Sequence, residues 1–151
     1  MAFVSLLLLA SLVANSTGAY LRAELTPPPE VPPRVQPLHE RIVIASLEAG
    51  LPPQIALDTA WRESRWIHVR NGRVLTDPNH VSFGLFGLNH SYYPDASHMS
   101  EGEAIHAGVE HLARLWRTYR SARLVHLAYL HGENWVRAHQ RGMADRREVQ
   151  S

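Results

Sequence analysis

The stretch TAWRESRW, residues 59–66, sets one carboxylate, Glu63, between two indoles, Trp61 and Trp66. A carboxyl kept from water by apolar rings holds its proton to higher pH, because desolvation disfavours the charged form. Such an acid can hand a proton to a leaving oxygen as a glycosidic bond breaks, the general-acid role in sugar cleavage. The plainer reading is a solvated glutamate, or an ion-pair partner of Arg62 or Arg65. If residues 54–66 form one helix, Trp66 lies one turn beyond Glu63 on the same face.

A second stretch carries ligand-binding residue types. HVSFGLFGLNHSYYP, residues 80–94, joins two glycines to an aromatic and aliphatic run. Gly84 and Gly87 permit tight turns and close approach of a ligand. Phe83, Phe86, Tyr92 and Tyr93 offer flat faces for sugar rings, and Ser82 and Asn89 offer hydrogen bonds to hydroxyl or acetamido groups. Apolar walls with a few polar anchors are the general form of a ligand pocket. The alternative is a buried loop packed by its own aromatics. Asp77, fourteen residues after Glu63, is either a second catalytic carboxylate or the cap of a turn before Pro78. The ten histidines raise metal binding as a third chemistry. Glu103 and His106 have i, i+3 spacing, and His111 follows five residues later. A two-metal bundle needs the Glu-x-x-His element twice, and no HExxH pair is present, so no metal is expected.

The elements that must position these groups are mostly helices. Residues 38–50 carry Ile42, Ala45 and Ala49 at helical spacing, with Val43 and Leu47 widening the stripe and Gly50 as the stop. Pro52 and Pro53 suit the first turn of a second helix over residues 54–66. Residues 67–100 read as a long structured loop, with a short strand pair around the turn Asn71–Gly72. Ser100 and Glu103 form a capping-box pattern ahead of a third helix with Ile105, Val109, Leu112, Trp116 and Tyr119 on one face. A fourth helix over residues 121–132 closes at Gly132, and a fifth spans residues 134–142, before a frayed tail at 143–151.

The ends and the composition bound the setting. Residues 2–14 are almost wholly apolar, too short a run for a bilayer-spanning helix, and Thr17 and Ala19 stand at −3 and −1 of a cleavage site. Residues 1–19 are therefore read as a signal peptide or short anchor, although no basic residue precedes the run. Six of the ten prolines fall within residues 26–37, so residues 20–37 form an extended, semi-rigid linker. The folded domain is placed at residues 38–142. No cysteine is present, so no disulfide and no thiol chemistry is available. A net charge of +1 argues against nucleic acid as the main partner.

Taken in order, LPPQIALDTAWRESRW, SFGLFGLN, EAIHAGVEHLARLWRTY and LAYLHGENWV resemble the soluble lytic transglycosylase domain of the lysozyme-like superfamily. Glu63–Ser64 matches that family's Glu-Ser helix end. Ser82 with Gly84, Leu85, Phe86 and Gly87 matches in part its Ser-containing Gly-Leu-Met-Gln loop. Ala104, Ile105, Gly108, His111 and Leu112 follow its third motif, and Ala128, Tyr129 and Gly132 its fourth. The similarity covers about residues 40–136. Gly87, Leu130 and Ala104 stand where the family has Gln, Asn and Asn. The resemblance implies a mainly α, α+β lysozyme-like fold. It implies cleavage of the β-1,4 bond between N-acetylmuramic acid and N-acetylglucosamine, with 1,6-anhydro ends and no cofactor. Glu63 would be the single acid/base, Tyr129 would orient it, Ser82 would bond to it or to sugar, and Phe86 and Asn89 would line the groove. It implies peptidoglycan strands as partner, in the periplasm or cell exterior, in the service of a secretion, conjugation or phage assembly. The membrane enters only through the N-terminal segment. Glu63 with Asp77 would instead give a lysozyme-type hydrolase, and the departures at Gly87 and Leu130 a non-catalytic binding protein of the same fold.

Overall fold

The computed structural model describes residues 36–148, so the expected signal segment and most of the linker lie outside the described residues. Among the described residues there are five helices and two small antiparallel strand pairs: α1 (Gln36–Glu48), α2 (Pro53–Ser64), β1 (Val69–Arg70), β2 (Arg73–Val74), β3 (Ser82–Phe83), β4 (Leu88–Asn89), α3 (Glu101–Tyr119), α4 (Ala122–His131) and α5 (Glu133–Glu148). The chain is thus mainly α, as expected, and no described helix is long and apolar enough to cross a membrane.

The central element is α2. Ile55, Ala56, Leu57, Asp58, Thr59, Ala60 and Ser64 are all buried, so the helix is enclosed on nearly every side. It packs on α1, α3 and α4, while α3 also meets α1 and α4, and α4 meets α5. Pro52 and Pro53 open α2 where a missing N–H costs nothing. In α1 the buried line is Leu38, Ile42 and Ser46, and the Ser46 hydroxyl turns back to the Ile42 carbonyl at 2.7 Å. The buried Asp58 carboxylate is paired with Arg62 Nε at 2.7 Å, and Arg62 Nη1 reaches His126 Nε2 at 3.1 Å, a polar tie between α2 and α4.

The capping box at the start of α3 forms as its pattern predicts. Ser100 Oγ accepts from Glu103 N at 3.3 Å, and Glu103 Oε2 accepts from Ser100 N at 2.8 Å. Asn71 and Gly72 both take positive φ, 54° and 74°, and turn β1 into β2. Most helix ends shift by one or two residues from expectation, and two of the differences matter here. The second helix ends at Ser64, not at residue 66, because Arg65 and Trp66 both adopt left-handed backbone, φ 57° and 59°. The last helix runs on to Glu148, through the segment read as a frayed tail.

Candidate functional site

The early stop of α2 changes the surroundings of Glu63. The left-handed pair turns Trp66 back along the helix, so its Nε1 donates to the Leu57 carbonyl at 3.2 Å. Its ring packs on Trp61, with centroids 4.8 Å apart, and edge-on to His39 of α1. The expectation that Trp66 stands one turn above Glu63 is therefore corrected, because i, i+3 neighbours exist only while the helix continues.

What does cover Glu63 is the loop between β3 and β4. A Cβ built on Gly87 would lie 2.6 Å from Glu63 Oε2, so the carboxylate rests directly against that backbone. Gly87 has φ +58°, a conformation that only glycine takes cheaply. Burial pushes the Glu63 carboxyl above the usual carboxylate range. No ion pair holds it down: Arg62 is taken by Asp58, and the Arg65 guanidinium lies over the Trp61 ring, 4.7 Å from its centroid. Glu63 is half-buried and has neither hydrogen bond nor salt bridge among the described residues.

Three side chains hold the loop against α2. Ser64, next to Glu63, donates its hydroxyl to the Leu85 carbonyl at 2.8 Å and accepts from Ile67 N at 3.2 Å. The buried His68 accepts from Leu85 N through Nδ1 at 3.3 Å and reaches the Met99 carbonyl through Nε2 at 2.8 Å. Tyr129 of α4 donates its hydroxyl to the Phe86 carbonyl at 2.6 Å. That donation commits the proton to the loop, so Tyr129 makes no hydrogen bond to Glu63, although its hydroxyl is close enough to feel the charge of Glu63. Burial, followed by the negative charge of Glu63 and then Tyr93, raises the Tyr129 hydroxyl well above its ordinary range.

Phe86 needs a larger correction. Its ring is fully buried against Gly108 of α3, where an added Cβ would lie 2.8 Å from Phe86 Cβ and closer still to the ring. It presents no face to a sugar and belongs to the core. Ser82 pairs in register with Asn89, but its hydroxyl makes no hydrogen bond to Glu63, and Ser82 is not part of the cleft wall. The serine beside Glu63 that braces the site is Ser64. Asn89 does line the cleft, with Oδ1 accepting from Ser91 N at 2.8 Å. Asp77 is a turn cap: it accepts from the backbone N–H groups of Asn79, Val81 and Ser82 at 3.2, 2.7 and 2.8 Å. Those bonds, the one from Ser82 foremost, hold its carboxyl below the usual range. Glu103 is spent on the capping box, and no group of three or more His, Asp and Glu side chains among the described residues is placed to hold a metal.

A cleft of about 720 Å³ opens beside Gly87 and Tyr129. Tyr92, Tyr93, His111 and Asn89 face it, with Tyr92 at its mouth 79% exposed. Glu63 stands at the Gly87 edge and is not itself part of the wall. Gly87 is thus the residue that the Glu63 carboxylate rests on and that the cleft wall also includes. His111, named in the sequence only as a motif position and a metal candidate, is the cleft residue whose place there was not foreseen. Its Nδ1 lies 3.2 Å from the Tyr93 hydroxyl and its ring centroid 5.1 Å from that of Tyr129. Burial, then Arg114, lowers its pKa, which favours the neutral imidazole. A signal was available: His111 follows Gly108 by three residues, on the helix face that Gly108 turns to the loop. A scan of family models finds no match to this chain, and comparison with curated proteins and with solved structures finds none either.

Proposed function

We propose that the chain is a lysozyme-like lytic transglycosylase, cleaving the β-1,4 bond between N-acetylmuramic acid and N-acetylglucosamine in peptidoglycan, in the periplasm or cell exterior. The observation that carries this reading is the isolation of Glu63: desolvated, unpaired, and set against a glycine at the edge of an aromatic-lined cleft. In the reaction, Glu63 gives its proton to the bridging oxygen as the bond to C1 breaks. The carboxylate then takes the proton of the muramoyl C6 hydroxyl, whose oxygen bonds to C1 of the same sugar. One side chain serves both steps, because the second nucleophile is intramolecular and no held water is needed.

The state of the other carboxylates favours this outcome over hydrolysis. Asp77 already accepts three backbone N–H bonds, and Glu133, which lines the cleft, is paired with Arg114 at 2.5 Å. Neither stands free to hold an attacking water. Digestion of purified sacculi, with mass spectrometry of the released fragments, tests the reading. Anhydro ends from the wild type and no release by Glu63→Gln are expected. Reducing ends carrying solvent oxygen would move the assignment to a lysozyme-type hydrolase, and equal clearing by both proteins, or by neither, would remove Glu63 from any mechanism.

A further inference from the structure

Beyond the acid, the same cleft carries an uneven charge cluster. Arg114 of α3 and Arg137 of α5 both line it, with Glu133 between them. Arg114 Nη1 meets Glu133 Oε1 at 2.5 Å, whereas Arg137 Nη1 lies 3.9 Å from Glu133 Oε2 and spends Nη2 on the Asn134 side-chain oxygen at 2.9 Å. Two guanidiniums face one carboxylate, so one positive charge is left over. Each guanidinium has five N–H donors, and most of them remain unused. Both arginines are more than half exposed, so they are open to a ligand. The amino end of α5 adds to the field: its first hydrogen bond runs from Val136 N to the Gly132 carbonyl at 3.4 Å, which leaves the N–H groups ahead of it without an intrahelical acceptor.

The position is as informative as the charge. Gly108, His111 and Arg114 follow one another at three-residue spacing along α3. Arg114 therefore sits about 9 Å along the axis from the point where α3 touches the loop beneath Glu63. A ligand long enough to reach both would place its scissile bond at one end and an anion at the other. We propose that Arg114 and Arg137 form an anion subsite for the carboxylates of an acidic peptide carried on the glycan strand, so that peptide-bearing strands are bound in preference to bare ones. This rests on the glycan-cleaving reading for the identity of the ligand. Arginine suits the task because its planar fork meets a carboxylate with two parallel bonds.

Binding tests the subsite independently of cleavage. The full chain carrying Glu63→Gln, which leaves strands intact, is titrated with soluble glycan strands bearing their peptides and with the same strands after enzymatic removal of the peptides. Peptide-bearing strands should bind roughly tenfold tighter, the scale of two partly exposed charge-assisted contacts, and the advantage should shrink with added salt. Adding Arg114→Gln and Arg137→Gln should abolish the difference between the two strands, and a difference that persists in this variant overturns the subsite. Adding Glu133→Gln instead should widen it, since both guanidiniums are released; a merely structural ion-pair cluster would show no gain. Equal affinity for the two strands, or no binding of the peptide-bearing ones, overturns the subsite. Failure of the wild type to release fragments, with the preference in binding intact, would overturn only the proposed reaction.

Discussion

Replacing Gly87 by alanine separates the site from the fold. The added Cβ would stand 2.6 Å from Glu63 Oε2 and 3.3 Å from Glu63 Cδ. The atom it meets is the free end of a flexible side chain, so the carboxylate swings aside and the backbone holds. The remaining cost to folding is the left-handed conformation at φ +58°, worth about 1–2 kcal/mol for a residue with a Cβ. One kcal/mol lowers the melting midpoint of a domain near this size by about 4–8 °C. The chemical cost is far larger, because displacing a catalytic group by about 1 Å can lower turnover about 10²-fold. The assay is fragment release from sacculi, well below the variant's own melting midpoint, beside a thermal melt. The expected result is a modest fall in midpoint with a loss of turnover near 10²-fold. A folded Gly87→Ala protein that keeps wild-type turnover would refute the placement of the reactive acid against this glycine.

Glu63→Gln should leave the fold intact and alter its pH dependence. The native carboxyl holds its proton more tightly than the unfolded chain does, so wild-type stability declines as pH rises from the ordinary carboxylate range through the raised native pKa. The glutamine variant lacks that decline; its stability advantage, followed by denaturant melts across pH, should be absent in acid, grow through this window and level off above it. Ser64→Ala strips the Leu85 carbonyl of its partner at a buried position, while Ile67 N–H keeps the Ser64 carbonyl, and should cost roughly 1–3 kcal/mol in urea unfolding. Gly108→Ala ought to gain about 1 kcal/mol as a helix substitution. The packed Phe86 ring should instead make it destabilising by roughly 1–3 kcal/mol, read as a lower denaturant midpoint.

Much of the fold is legible because its signals are local. Ser100 and Glu103 declare the start of α3 within four residues, and Asn71–Gly72 declares its own turn. Glu63 could be singled out for the same reason: an acid among apolar neighbours shows in one short window. The residues that failed depend on distant partners. Phe86 reads as a sugar platform until Gly108, twenty-two residues on, supplies the space that swallows its ring. Trp66 reads as the shield of Glu63 until two left-handed residues, neither of them glycine, turn it away. Tyr129 was identified but its bond was not, because its acceptor is a backbone carbonyl forty-three residues earlier. His111 and Arg114 look like ordinary polar helix residues, and only the packing of α3 against α4, and of α4 against α5, brings them to one cleft.

His68 has one consequence for how the protein can be handled. A single imidazole clasps the middle of the long excursion between α2 and α3 at Leu85 and its far end at Met99, the work a covalent crosslink often does in compact exported domains. Because the chain has no cysteine, that clasp closes without an oxidant and is indifferent to reductants. The protein should fold to the same state in dithiothreitol as in air, and competence regained after dilution from urea should need no shuffling catalyst.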